Sequence, residues 1–309
     1  MKKSRKQIRA SIRRNWQLYL FLLLPVAYLI LFKYVPMGGL IIAFEDYKMR
    51  DGIFGSEWVG LENFIKFFQS YQFGKVVKNT LLLSFYAIIA GFPIPIVFAL
   101  IMNCIPNERV KKVVQSITCL PHFISTVVMV GILYQIFNPR TGLFGIAVEA
   151  LTGAYPTDIN ASPDGFRHLY VWSGVWQGFG WGSIIYTAAL AGVDPSYHEA
   201  AQIDGATRLQ RILHIDLPSI MPTIITMLIL RMGDVMSIGF EKVYLMQNGM
   251  NLAASEVIST YEYSIGLGGT GATDFSYATT IGLFNSVINL IMITVVNRIA
   301  SKHGDTSLW

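Results

Sequence analysis

Apolar runs of the size needed to cross a membrane, about 20 residues, alternate with polar stretches along this chain. Six such runs stand out, at residues 16–35, 76–103, 112–137, 168–192, 219–240 and 276–299. Each is predicted to form one helix. The first begins like a secretory signal, but its apolar stretch exceeds the roughly 7 to 15 residues of a signal core and no A-x-A site follows. It is therefore expected to remain as an uncleaved span. Pro93 and Pro95 interrupt the second run, where each removes a backbone donor and bends the helix. Between the first two runs, Leu61, Phe64, Ile65 and Phe68 recur at helical spacing. They predict a short amphipathic helix at the outer interface, either a lipid-facing prop or a recognition element.

Charge adds orientation. Only 14% of the 309 residues are charged and 53% are hydrophobic, against roughly 25% charged in a soluble domain. That excludes an ordinary soluble enzyme. The net charge of +5 could suggest nucleic acid, but Lys2, Lys3, Arg5, Lys6, Arg9, Arg13 and Arg14 crowd into the residues before the first run. Loops on the inner face collect Lys and Arg. Arg109, Lys111 and Lys112 follow the second run, and Arg298 and Lys302 lie at the C-terminal end of the sixth and just beyond it. Residues 139–166 hold only Arg140, and residues 243–275 hold no Lys or Arg. The loop at 36–75 is mixed, with Lys48, Arg50, Lys66 and Lys75 among five acidic residues. Both termini are expected in the cytoplasm. The organisation expected is a basic N-terminus at 1–15, a six-span membrane domain at 16–299 and a tail at 300–309. Cys104 and Cys119, the only cysteines, imply neither a disulfide framework nor a Cys-based metal site.

The stretch at 193–222, VDPSYHEAAQIDGATRLQRILHIDLPSIMP, is far more polar than the runs on either side. Asp194 is placed to cap a helix that has Pro195 in its first turn. Gly205 can end it in the left-handed conformation. Thr207 then starts a second short helix, with Gln210 completing a capping box. A compact two-helix elbow on the cytoplasmic side, held at both ends by spans, can transmit a push.

These residues resemble a known family. Glu199-Ala200-Ala201, Asp204-Gly205-Ala206, then Ile215 and Leu217-Pro218, at the spacing found here, are similar to the EAA signature of permease subunits in binding-protein-dependent ABC importers. NWQLYLFLLLPVAYLILFKYVPMGGLIIAFEDY, WVGLENF, LPHFIST and the ending at Trp309 resemble the carbohydrate group, in particular permeases for oligosaccharides released from polysaccharides. The resemblance implies an all-α integral membrane protein of the type I ABC importer permease fold in the bacterial cytoplasmic (inner) membrane. It further implies that the loop at 193–218 is a coupling helix seated on an ATPase dimer, so that Glu199, Ala200, Ala201, Asp204, Gly205 and Ala206 carry ATPase coupling. The implied partners are that ATPase, a second and different permease chain, an extracytoplasmic sugar-binding protein and the oligosaccharide. ATP and Mg are expected on the ATPase, with no cofactor and no metal on this chain. No phosphate-binding loop of the G-x-x-x-x-G-K-[ST] kind occurs.

Ionisable groups within a span are costly and usually face protein or a water-filled path. Arg231 and Asp234, three residues apart in the fifth run, are expected on one helix face, either as substrate contacts or as a mutual structural ion pair. Glu241 and Lys242 follow near the outer end. The fourth run carries Trp172, Trp176, Gln177, Trp181 and Tyr186; aromatic faces stack on sugar rings and amides bind hydroxyls, but Trp and Tyr also gather at interfaces. Trp172 is assigned to the interface. Arg231, Asp234, Trp176, Gln177 and Glu241 are taken as the substrate pathway, and His122 as a packing residue. A stand-alone secondary transporter or channel for a small polar solute is the alternative, and it leaves the elbow unexplained. No G-x-S-x-G or H-E-x-x-H pattern favours an intramembrane enzyme.

Overall fold

The computed structural model describes residues 14–268 and 273–303. The basic cluster up to Arg13 and the end of the tail, including Trp309, lie outside the described residues. The chain divides into two units, one of residues up to 68 with 265–283, the other of residues 69–264 with those from 284 onward.

In the first unit, α1 (Trp16–Leu29) continues through a π-turn and further helical turns, so that Trp16–Phe44 forms one apolar stretch of 29 residues. No side chain of α1 is buried. A two-stranded antiparallel ribbon follows, β1 (Glu45–Asp46) with β2 (Glu57–Trp58), pairing Glu45 with Trp58. The amphipathic helix expected near residue 65 is present as α2 (Glu62–Gln69). Phe67 is its buried residue, whereas Leu61, Ile65 and Phe68 point outward. Asn63 ties α2 to the ribbon, its side-chain amide donating to the carbonyls of Ala43 and Glu45 at 3.2 and 3.1 Å.

In the second unit, Ser70 caps α3 (Tyr71–Gly91) by accepting from the Phe73 N–H at 3.1 Å. The interruption expected at the prolines is seen at Phe92, where α3 gives way to α4 (Pro93–Asn103). The third expected span is not a single rod. It consists of α5 (Glu108–Cys119) and α6 (Thr126–Ile136), separated by a 3-10 turn at Leu120–Phe123 and inclined at 94°. Pro121 opens that turn, and Ser125 caps a new helix after extended Ile124. α7 (Leu143–Thr152) ends at Gly153, which has φ +76°.

The hub is α8 (Pro163–Ala191), 29 residues long, started by Ser162 accepting from the Gly165 N–H. It lies against α3, α4 and α5. The α5 contact is a backbone approach: a Cβ on Gly180 would stand 2.2 Å from the Thr118 carbonyl oxygen. Gln115 bridges the same gap, donating to the Gly180 carbonyl at 2.9 Å and the Ser183 hydroxyl at 3.2 Å. Beyond α8 come α9 (Pro195–Ile203), α10 (Arg208–Arg211), α11 (Leu217–Gly233), α12 (Phe240–Met246), α13 (Ile258–Gly266) and α14 (Phe275–His303).

Among the described residues, four helical stretches are long and apolar enough to cross a membrane, or five with the bent pair, against the six expected. The expected fourth span, α8, has the length, but its Trp, Tyr, Gly and Ser residues dilute its apolarity. The fifth span ends earlier than expected. Its helix stops at Gly233, and Asp234 already has a non-helical backbone. A break at membrane depth needs replacement partners for its freed backbone groups. Here the Ser84 hydroxyl donates to the Val235 carbonyl, and the Met236 N–H donates to Asn289 Oδ1 at 2.9 Å. Asn289 in turn donates from its amide to the Ser237 hydroxyl at 2.8 Å.

Candidate functional site

Two places concentrate the chemistry, and both lie in the second unit. At the elbow, Asp194 accepts from the Ser196 N–H at 2.9 Å, with Pro195 in the first turn of α9. This backbone donor, the largest influence on the group, holds the exposed Asp194 carboxyl below its ordinary range. Gly205 follows α9 with φ +74°, which spares the steric penalty a Cβ brings to the left-handed region. The Thr207 hydroxyl accepts from the Gln210 N–H, and the Thr207 N–H donates to Gln210 Oε1 at 2.7 Å, closing the capping box.

One feature of the elbow departs from expectation. The second helix is not separate from the next span: α10 passes through a π-turn at Ile212–Asp216 into α11, so Arg208–Gly233 is one helical stretch of 26 residues. Glu199, Ala200, Asp204 and Gly205 are exposed, while Ala201 and Ala206 are half-buried. Tyr197, Ile203, Leu209 and Leu213 are exposed beside them, Ile203 at 87%. This is a surface of apolar and small residues with charged neighbours.

The second place is a cavity of about 420 Å³ bounded by α3, α4, α8, α11 and α12. Gln177, Trp181 and Tyr186 line it from α8, Arg231 from α11 and Lys242 from α12, with His122 from the turn before α6. The His122 and Trp181 rings are stacked, centroids 4.6 Å apart and planes within 2°. Gln177 donates from its amide to the Ile124 carbonyl at 2.8 Å. A smaller hollow of about 130 Å³ is lined by Arg231, Asp234 and Ser237.

The structure brings together Arg231 and Gln177, and places Asp234 beside Arg231 in the smaller hollow. Asp234 caps the end of the helix that carries Arg231, and among the described residues no ion pair joins the two. Trp176 and Glu241 are exposed and line neither hollow. Lys242, which follows the fifth run, and the stacked His122 and Trp181 also line the cavity, so His122 faces it as well as packing on a neighbouring ring. No local pattern could have found them, because Lys242 faces α8 only through the break at 234–239. Trp172 is exposed and donates its indole N–H to the Tyr86 hydroxyl at 2.9 Å. Among the described residues no group of three or more His, Cys, Asp or Glu could hold a metal ion.

Comparison with known proteins shows the family. Residues 91–302 match the model of the family described as binding-protein-dependent transport system inner membrane component. The chain is 39% identical over 308 residues to the polygalacturonan/rhamnogalacturonan transport system permease protein YteP of Bacillus subtilis (strain 168), covering 100% of this chain and 95% of that one. It also resembles a chain in the crystal structure of a bacterial ABC transporter involved in the import of the acidic polysaccharide alginate. There the identity is 36% and the TM-score 0.87, over 96% of this chain and 99% of that one. A bacterial alginate ABC transporter in complex with an alginate pentasaccharide-bound periplasmic protein is matched equally well, at 36% and 0.87 over 97% and 99%. The chain belongs to the binding-protein-dependent transport system inner membrane components, and is a multi-pass membrane transport subunit, not an enzyme.

Proposed function

We propose that this permease subunit carries an acidic oligosaccharide across the bacterial cytoplasmic membrane by alternating access. The observation that carries the substrate class is the cavity with both Arg231 and Lys242 in its wall. A uronate oligosaccharide offers carboxylates to such cations, and the stacked pair His122 and Trp181 offers a flat face to a sugar ring. The relatives support the same class, since polygalacturonan and alginate are both polyuronates.

In this reading the elbow at 193–218 is the coupling element. Glu199, Ala200, Ala201, Asp204, Gly205 and Ala206 form the surface that meets an ATPase dimer on the cytoplasmic side. ATP and Mg bind that partner, and this chain carries no cofactor. A second permease chain completes the pathway, and an extracytoplasmic binding protein delivers the sugar. Both termini lie in the cytoplasm, and α8 supplies a further crossing in contact with its neighbours. A stand-alone secondary transporter is not retained, because it gives the elbow nothing to do.

The test is uptake by the complete transporter reconstituted in vesicles. Oligogalacturonate should enter in an ATP-dependent manner, while a neutral glucan of equal length should not. Glu199→Lys should stop uptake without removing the chain from the membrane. Equal uptake of both sugars would reject the acidic class, and ATP-independent uptake would reject the importer.

A further inference from the structure

The elbow is tied to the membrane helices through one buried carboxylate. Asp216, only 2% exposed, ends the π-turn that joins α10 to α11. His198 of α9 places Nε2 at 3.3 Å from Asp216 Oδ1. Asn103, the last residue of α4, donates from Nδ2 to the same oxygen at 3.3 Å. Three elements thus meet on one atom: the first helix of the elbow, the end of the second span and the start of the fifth. The π-turn matters because its extra residue re-aims the side chains that follow, and such turns recur at functional positions.

Arg208, Arg211, Cys104 and Asn103 line the hollow of about 270 Å³ that His198 and Asp216 share. Glu199, the neighbouring charge on α9, is exposed. Among the described residues neither arginine forms an ion pair with Asp216, and Arg211 Nε is buried with no hydrogen-bond partner. His198 is therefore the basic side chain in direct contact with the carboxylate.

We infer that His198 and Asp216 form a protonation-sensitive latch that transmits movement of α9 to α4 and α11. His198 is a positioning residue, acting through Asp216 and not through the transported sugar. An imidazole changes charge between about pH 5 and 8. When protonated, it makes a charge-assisted contact with Asp216 and the elbow moves with the spans. When neutral, the contact weakens and α9 can shift without carrying them. The efficiency of coupling should then fall as the pH on the elbow's side rises.

The inference rests on the ATP-driven reading, and two measurements on the assembled transporter separate their failures. One is oligogalacturonate imported per ATP hydrolysed at pH 6 and pH 8, for the unaltered protein, His198→Lys and His198→Ala. The ratio should fall with pH in the unaltered protein and stay high and flat with His198→Lys. With His198→Ala it should be lowered about tenfold at pH 6, the scale of one lost charge-assisted contact. The other is hydrogen exchange of residues 195–203, corrected for intrinsic rates, which reads the latch without transport. Protection should drop between pH 6 and 8 in the unaltered protein and persist with His198→Lys. A His198→Lys protein that keeps the unaltered pH slope in both measurements overturns the latch, whether or not His198→Ala assembles. Absence of ATP-driven import with the exchange pattern intact overturns the transport reading alone.

Discussion

The Lys242 ammonium donates to the Tyr170 carbonyl at 2.9 Å and lies 4.9 Å from the centre of the Tyr170 ring. One cation is thus held by a backbone acceptor and an aromatic face, leaving donors for the cavity it lines. Arg231 reaches the same cavity from the end of α11. Charge is delivered there by two helices on either side of a break in the chain.

Replacing Lys242 with Met keeps most of the apolar stem and removes the charge. Uptake of oligogalacturonate by the reconstituted transporter should fall about tenfold, the loss expected of one hydrogen bond to a charged group. Binding of the sugar to the external binding protein, measured separately, should not change. Unchanged uptake would place the acidic recognition elsewhere.

Gly205 takes φ +74° between the two parts of the elbow. A β-branched residue there costs about 1–2 kcal/mol of backbone strain, which α9 and α10 relieve by shifting. Gly205→Val should leave the chain in the membrane and weaken its co-purification with the ATPase. Gly38, with nothing within 4 Å of an added Cβ and no left-handed backbone, supplies the control: Gly38→Ala should co-purify normally.

At the start of α9 the Asp194 carboxyl is held below its usual range by the Ser196 N–H. Its folded form takes up a proton less readily than the unfolded chain does. The cap therefore contributes fully above the ordinary Asp range of about pH 4, and its contribution is lost as pH falls through the lowered folded value. Hydrogen exchange at the first turn of α9, corrected for intrinsic rates, should lose protection on acidification. Asp194→Asn, which can still accept from Ser196 but cannot titrate, should remove that pH dependence.

The contact of α5 with α8 leaves no room at Gly180, where an added Cβ would stand 2.2 Å from a backbone oxygen of Thr118. Gly180→Ala should cost about 1–3 kcal/mol, as overpacking does, seen as a lower thermal midpoint in detergent. Gly178→Ala, two residues away with nothing within 4 Å, should be close to neutral. Equal midpoints for the two variants would contradict the close approach.

Much of the elbow could be read directly. Asp194, Pro195, Gly205, Thr207 and Gln210 are local signals whose hydrogen bonds close within a few residues, so the chain alone determines them. The same holds for the interruption at Pro93 and for the helix carrying Phe64 and Phe67. The pattern of apolar runs likewise placed long helices in most of their positions, because crossing a membrane demands length and apolarity from contiguous residues.

What depended on distant partners could not be read. The fifth run is apolar through residue 240, yet its helix ends at Gly233 because Ser84 and Asn289, 151 and 53 positions away from their respective partners, satisfy the freed backbone. Beyond that break Lys242 donates to the Tyr170 carbonyl of α8. The bend between α5 and α6 follows Pro121 and the Ser125 cap, local signals that the apolar pattern of the run conceals. Sequence determined the membrane class, the caps of the elbow and the family signature, all of which rest on local chemistry. The cavity and the meeting of Asn103, His198 and Asp216 were decided by tertiary structure, since each gathers side chains from separate helices.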